Sequence, residues 1–279
     1  MTSLITIEQS KELLANPKTI VLDATIDKVN QKIDNSHVKL IPNSLFFDIE
    51  HNFSDHTTSL PHTMIDMVNF TAKAQQLGIN DDSILIIYDR WGVYSSPRAW
   101  WMFNYMGHKN VYVLNGGLPA WESNGLPTVS EHITSNELGN FEAKKQNNWF
   151  ADTQFVLSQL PEKSTRIIDA RGKGRFLGTI PEPREGVRSG HIPQSYNIPF
   201  EEVLAGIYMK DTTAVKETLS SLLTQEGLNI FSCGSGITAS VLALAAYEAD
   251  YKNIAVYDGS WAEWGADSTL PIAIGDESL

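Results

Sequence analysis

A single cysteine stands in this chain of 279 residues, within the stretch Asn229-Ile-Phe-Ser-Cys-Gly-Ser-Gly-Ile-Thr-Ala-Ser240. An ionised thiol is the best protein nucleophile near neutral pH. The flanking residues decide whether this one is used that way. An apolar run (Leu228, Ile230, Phe231) stops at Cys233, two glycines follow, and a helical pattern rich in Ala, Leu and Val runs from Ala239 to Ala249. Such a strand–loop–helix sets the sulfur over a helix start, where unpaired backbone N–H groups and the helix dipole favour an anion, and so the thiolate. Gly234 and Gly236 let the loop turn those N–H groups inward. The alternative is a buried cysteine serving as a small core hydrophobe, and the two glycines weigh against it.

The elements that must position this loop follow an α/β rhythm. In the first half, short apolar strands are expected at Ile20–Asp23, Ser83–Tyr88 and Val111–Leu114, with helices near Ile65–Leu77 and Ser96–Met106. Alternation of this kind implies a parallel sheet with helices on both faces, and such sheets bind ligands beyond the carboxyl ends of their strands, where Cys233 sits. The two halves also match each other. Ile20-Val-Leu-Asp-Ala24 aligns with Ile167-Ile-Asp-Ala170, Leu85-Ile-Ile-Tyr-Asp89 with Asn229-Ile-Phe-Ser-Cys233, and Asn115-Gly-Gly-Leu-Pro-Ala-Trp121 with Asp258-Gly-Ser-Trp-Ala-Glu-Trp264. Offsets of about 145 residues that drift with small insertions mark a duplicated domain. The expected division is a first domain over 1–130, a polar linker over 131–150 within the Ser-, Asn-, Glu- and Lys-rich stretch Thr128 to Asn148, and a second domain over 151–279. Asp89 replaces the cysteine in the first half, followed by bulky Trp91 and Tyr94 that would crowd a cradle, so that half is expected to be catalytically silent.

Composition bounds the remaining possibilities. Hydrophobic content of 42% with 19% charged residues is that of a soluble globular chain. A net charge of −12 argues against a nucleic-acid or acidic-membrane partner, which would need a basic face. One cysteine forms no internal disulfide, the N-terminal residues lack the basic-then-apolar pattern of a signal peptide, and no apolar run approaches a membrane span, so a cytoplasmic protein is expected. The seven histidines are scattered without ligand spacing, so neither a metal nor another cofactor is expected.

Over essentially its whole length the chain resembles the tandem-domain rhodanese family, and within it the 3-mercaptopyruvate sulfurtransferases. The resemblance rests on Phe46-Phe-Asp-Ile-Glu50, Ser54-Asp-His-Thr57, Ser96-Pro-Arg-Ala-Trp-Trp-Met102, Gly174-Arg-Phe176, Glu182-Pro-Arg184, Gly190-His-Ile-Pro193, Cys233-Gly-Ser-Gly-Ile-Thr238 and Tyr257-Asp-Gly-Ser-Trp261. It implies two tandem rhodanese-like domains, a persulfide on Cys233, a silent first domain and an active site at the domain interface. It also implies a substrate cradle of Gly234, Gly236, Ile237 and Thr238, with Arg175 and Arg184 as the substrate-binding arginines. An arginine fork can hold a carboxylate through two parallel hydrogen bonds. The alternative for both arginines is solvated charge in a loop rich in Gly, Pro and Glu. Ser235 resembles a family serine that forms a relay with a histidine and an acid from the N-terminal domain, here matched by His62 and Glu50; the alternative for His62 is a surface or interface histidine. Glutamate stands where some relatives have aspartate, and one residue is inserted between Asp48 and Ser54.

Loop composition bears on the donor. Thiosulfate sulfurtransferases resemble Cys-Arg-Lys-Gly-Val-Thr at this loop, with cations facing a dianion, whereas Gly234 and Ser235 are neutral. The implied activity is transfer of sulfur from 3-mercaptopyruvate to a thiol such as thioredoxin, or to cyanide, with release of pyruvate. Thiosulfate as donor and a non-enzymatic persulfide-carrier or partner-binding module are the alternatives. A phosphatase of related fold would need arginine six residues after the cysteine, and Ala239 stands there. The internal duplication already supplies two domains, so a monomer is expected.

Overall fold

The computed structural model describes residues 2–276, so Met1 of the expected first domain and the last three residues of the expected second lie outside it. The chain divides into two compact units. The first holds Met1–Asp55, Met64–Gln146 and Ala205–Met209; the second holds His56–Thr63, Asn147–Leu204 and Lys210–Leu279.

The first unit contains β1 (Leu4–Ile5), α1 (Ile7–Leu14), β2 (Thr19–Asp23), β3 (Ser44–Phe46), α2 (Met67–Gln76), β4 (Ile84–Tyr88), α3 (Ser96–Tyr105), β5 (Val111–Leu114) and α4 (Gly117–Ser123). Its five strands lie in the order β1-β5-β4-β2-β3 with parallel pairing throughout. β2 pairs with β4 over Thr19↔Ile84 to Asp23↔Tyr88, a register that puts Asp23 and Asp89 at the same carboxyl edge. Strand β4 is buried over Leu85 to Tyr88, as the apolar run of a centrally placed parallel strand requires. Helix starts are fixed by side chains. Thr6 and Gln9 form a reciprocal capping box on α1, and Asp66 accepts the Val68 and Asn69 N–H groups at α2. The polar stretch from Thr128 runs along this unit by backbone bonds, Val129 with Leu40 and Phe141 N with Ile79 O. Phe141 is buried there against Phe70 and Phe103.

The second unit contains β6 (Phe150–Ala151), α5 (Thr153–Gln159), β7 (Arg166–Asp169), α6 (Lys173–Phe176), β8 (Tyr196–Asn197), α7 (Thr212–Leu219), β11 (Asn229–Ser232), α8 (Ile237–Glu248), β12 (Ile254–Tyr257) and α9 (Ser260–Trp264). Between β8 and α7 in the chain comes a two-stranded hairpin, β9 (Leu204–Ala205) with β10 (Tyr208–Met209), of which Ala205–Met209 belongs to the first unit. The sheet order β6-β12-β11-β7-β8, again all parallel, repeats that of the first unit strand for strand. Helix α8 is apolar all round and buried from Ala239 to Ala246, the pattern of a helix enclosed by its own domain. Duplication extends to single bonds: Trp121 Nε1 donates to Pro127 O at 2.8 Å, and Trp264 Nε1 to Pro271 O at 2.7 Å. Among the described residues no helix is long and apolar enough to cross a membrane.

Candidate active site

Strand β11 ends at Ser232, and Cys233 opens the loop that leads into α8. The thiol is 2% exposed. Gly236 takes φ +80° at the start of α8, a left-handed conformation that suits glycine. No side chain of the helix start caps it. The following crossover clamps the loop from behind: Trp261 N donates to Cys233 O at 2.9 Å and Ala262 N to Gly234 O at 3.0 Å. The Cys233 N–H is itself taken by Ser260 Oγ at 3.2 Å, and that hydroxyl donates on to Tyr257 O at 2.7 Å. Ile237 is buried and Thr238 half-buried in the first turn of α8.

Both arginines singled out from the sequence come to this loop. A Cβ placed on Gly234 would stand 3.2 Å from Arg175 Nη2, 3.8 Å from Arg175 Nη1 and 3.9 Å from Arg184 Nη1. Arg175 rises from the four-residue α6, and its Nε and Nη2 donate to Glu182 at 3.0 and 2.5 Å. Glu182 also accepts from Arg171 Nη1 at 2.9 Å. Arg171 is buried, holds both oxygens of Asp169 and donates to Gly190 O at 2.8 Å. Burial works against its charge, yet Asp169 and Glu182 outweigh that and raise its pKa above the ordinary arginine value. The Trp261 ring lies 4.4 Å from its guanidinium carbon.

Ser235 Oγ meets His62 Nδ1 at 2.9 Å, and both residues belong to the second unit. His62 holds φ +59°, an uncommon backbone for a non-glycine residue. Glu50 lies half-buried in the turn after β3 of the first unit.

Glu182, Arg171 and Ser260 have no distinguishing mark of their own in the sequence. Glu182 lay inside the quoted motif Glu182-Pro-Arg184, but an acid in a Gly- and Pro-rich loop gives no sign of its partner. The sequence signal for Ser260 is its alignment with Gly117 in the other half; in the structure both take φ +51°, and only one is glycine. The Asp89 loop also differs from expectation. Trp91 and Tyr94 do not crowd its turn; Trp91 Nε1 donates to Ile26 O at 2.9 Å, and both rings pack under Lys28 Nζ. What fills the turn is the Asp89 carboxylate. Its Oδ2 accepts the Tyr94, Ser95 and Ser96 N–H groups at 2.8–3.0 Å and the Ser96 hydroxyl at 2.7 Å, while Oδ1 accepts Trp91 N–H at 2.9 Å.

A rhodanese-like domain family matches residues 6–124 and again 153–267. The chain is 36% identical to a 3-mercaptopyruvate sulfurtransferase of Escherichia coli K12 over 273 residues, covering 94% of each chain. It is 35% identical to an Arabidopsis thaliana protein named thiosulfate/3-mercaptopyruvate sulfurtransferase 1, mitochondrial, covering 93% of this chain and 75% of that one. Among solved structures, the Tum1 protein of Saccharomyces cerevisiae superposes with a TM-score of 0.88 at 30% identity, covering 99% of this chain and 98% of that one.

Proposed function

The chain belongs to the rhodanese family, and from that premise we propose that it is a 3-mercaptopyruvate sulfurtransferase whose second domain, 151–279, carries the chemistry while the first, 1–130, is silent. One observation carries the reading: two guanidinium groups are turned onto the uncharged side of a cysteine loop, at Gly234. A donor with one carboxylate and a ketone needs fixed hydrogen-bond donors of this kind more than it needs a cation in the loop.

The Cys233 thiolate attacks the donor's sulfur. An S–S bond forms, the C–S bond breaks, and its electron pair passes into the ketone as the enolate of pyruvate. Arg175, Arg184 and the N–H groups of the loop through Gly234, Gly236, Ile237 and Thr238 stabilise that charge. Protonation of the enolate carbon gives pyruvate, and the Ser235–His62 pair at 2.9 Å is built to pass a proton. The role of Glu50 as third member rests on the resemblance alone. In the second half-reaction a thiol such as thioredoxin, or cyanide, attacks the outer sulfur and returns the Cys233 thiolate. Two covalent half-reactions call for double-displacement kinetics. A single cysteine accords with a reducing, cytoplasmic setting, and the tandem repeat with a monomer.

Thiosulfate as donor is the second reading, drawn from the plant relative named for both. Catalytic efficiency on each donor tests the proposal. Efficiency should favour mercaptopyruvate by more than about tenfold, or about 1.4 kcal/mol at the transition state. Comparable efficiency on both would overturn the choice of donor.

A further inference from the structure

We propose that Glu182 is a positioning residue: it grips one edge of the Arg175 guanidinium so that the other edge meets the donor's carboxylate over Gly234. The inference rests on the reading of Arg175 as a donor-binding group and deepens it.

A guanidinium offers a carboxylate two bidentate edges, Nε with Nη2 and Nη1 with Nη2. Glu182 takes the first, through both of its oxygens. The second faces the catalytic loop, because the Cβ position of Gly234 lies 3.2 Å from Nη2 and 3.8 Å from Nη1. The donor is therefore met end-on, and a side chain at residue 234 would stand where that edge approaches. Arg175 needs such a grip because α6 has only four residues and the side chain is 24% exposed. An ungripped arginine would lose its rotamer freedom each time it bound a donor.

Glu182 can serve as the grip because it is fixed in turn. Its side chain is 3% exposed, and Arg171 holds it from the other side. Arg171 is anchored to Asp169 at the end of β7 and to the Gly190 carbonyl. A rigid line thus runs from the sheet edge through Arg171 and Glu182 to Arg175. The same geometry admits an opposite sign, since a carboxylate on Arg175 also competes with an anionic donor. Experiment separates the two.

In the full-length protein, Glu182→Gln should raise KM for mercaptopyruvate about tenfold while kcat stays within about twofold. Alkylation of Cys233 by neutral iodoacetamide should proceed at the parental rate, because the loop itself is untouched. In an Arg175→Ala background the same substitution should cost nothing further. Glu182→Asp keeps the charge but draws the carboxylate back by one methylene, and should raise KM by about threefold; it carries the test if the Gln variant does not fold. An unchanged or lowered KM in the folded variant, or a loss that adds fully to that of Arg175→Ala, would overturn the positioning role. Arg175→Ala within twofold of the parent would instead overturn the donor-binding reading beneath it.

Discussion

The Asp89 and Cys233 loops are one piece of architecture put to two uses. Each follows the middle strand of a five-stranded parallel sheet and feeds a helix. In each, an N–H from the next crossover pins the carbonyl of the key residue, Leu118 N to Asp89 O at 3.0 Å and Trp261 N to Cys233 O at 2.9 Å. The inward N–H groups of such a turn suit an anion. In the first unit the anion is built in, and the fully buried Asp89 carboxylate gathers three N–H groups and a hydroxyl on one oxygen. In the second, three fewer residues separate the key side chain from its helix, no carboxylate among the described residues is seen on those donors, and a thiol stands in its place. The comparison teaches that a carboxylate turns this scaffold into a structural staple, whereas a thiol with two arginines at its loop leaves the same scaffold open for the chemistry proposed above.

The largest effect expected from breaking the staple is on stability. Asp89→Ala leaves several buried donors without their acceptor and should lower unfolding stability by about 3 kcal/mol or more, since each bond to a charged acceptor is worth about 1.5–3 kcal/mol. Cys233→Ala should change it by only about 1 kcal/mol while removing activity. Chemical denaturation of both variants measures the contrast. Equal stability losses would mean that the carboxylate is no staple.

Next in size are the two arginines that stand at the Cys233 loop. Arg175→Ala and Arg184→Ala should each cost about 1.5–3 kcal/mol in kcat/KM on mercaptopyruvate, the worth of a charged hydrogen bond. Lysine should rescue only in part, because an ammonium has no planar fork. Values within twofold of the parent for both variants would place the carboxylate elsewhere.

A smaller shift should follow from charging the neutral loop. Gly234→Arg with Ser235→Lys should move the donor ratio toward thiosulfate by about tenfold, or about 1.4 kcal/mol. The Cβ at residue 234 would also crowd Arg175, so efficiency on mercaptopyruvate should fall in the same variant. A ratio unchanged by the two cations would remove loop charge as the determinant.

The smallest effect sharpens the comparison at the twin positions Gly117 and Ser260, both at φ +51°. Ser260→Gly loses the bonds to Cys233 N and Tyr257 O but relieves a strained backbone of about 1–3 kcal/mol. Its stability should stay within about 1 kcal/mol, with a few-fold loss of activity. The reverse change is not symmetrical, since a Cβ at residue 117 would press on the Asp89 carbonyl and stand 2.6 Å from that of Gly92. Gly117→Ser should therefore unfold at clearly lower denaturant. Equal responses of the two variants would break the twin relation.

These contrasts also mark how far the chain could be read from its residues. Strands of apolar residues, the expected helix from Ser96 and the matched tryptophans were plain, because local periodicity and repetition encode them. Arg175 and Arg184 were found by motif context, and the structure brings both to Gly234. The grip of Glu182 was hidden because a carboxylate's partner is chosen by the fold, eleven residues away at Arg171 as well as seven away at Arg175. From residue type alone Asp89 signals only an absence of thiol chemistry, and Trp91 and Tyr94 only bulk. Periodicity does not reveal that the rings turn out to Lys28 while the carboxylate turns in.

The central claim is that Cys233, and nothing in the Asp89 loop, carries the sulfur. Intact mass after incubation with 3-mercaptopyruvate tests it most directly. The parent protein should gain one sulfur atom and lose it on addition of cyanide, and Cys233→Ala should gain none. An unchanged mass in the parent, or a gain in Cys233→Ala, would contradict the account.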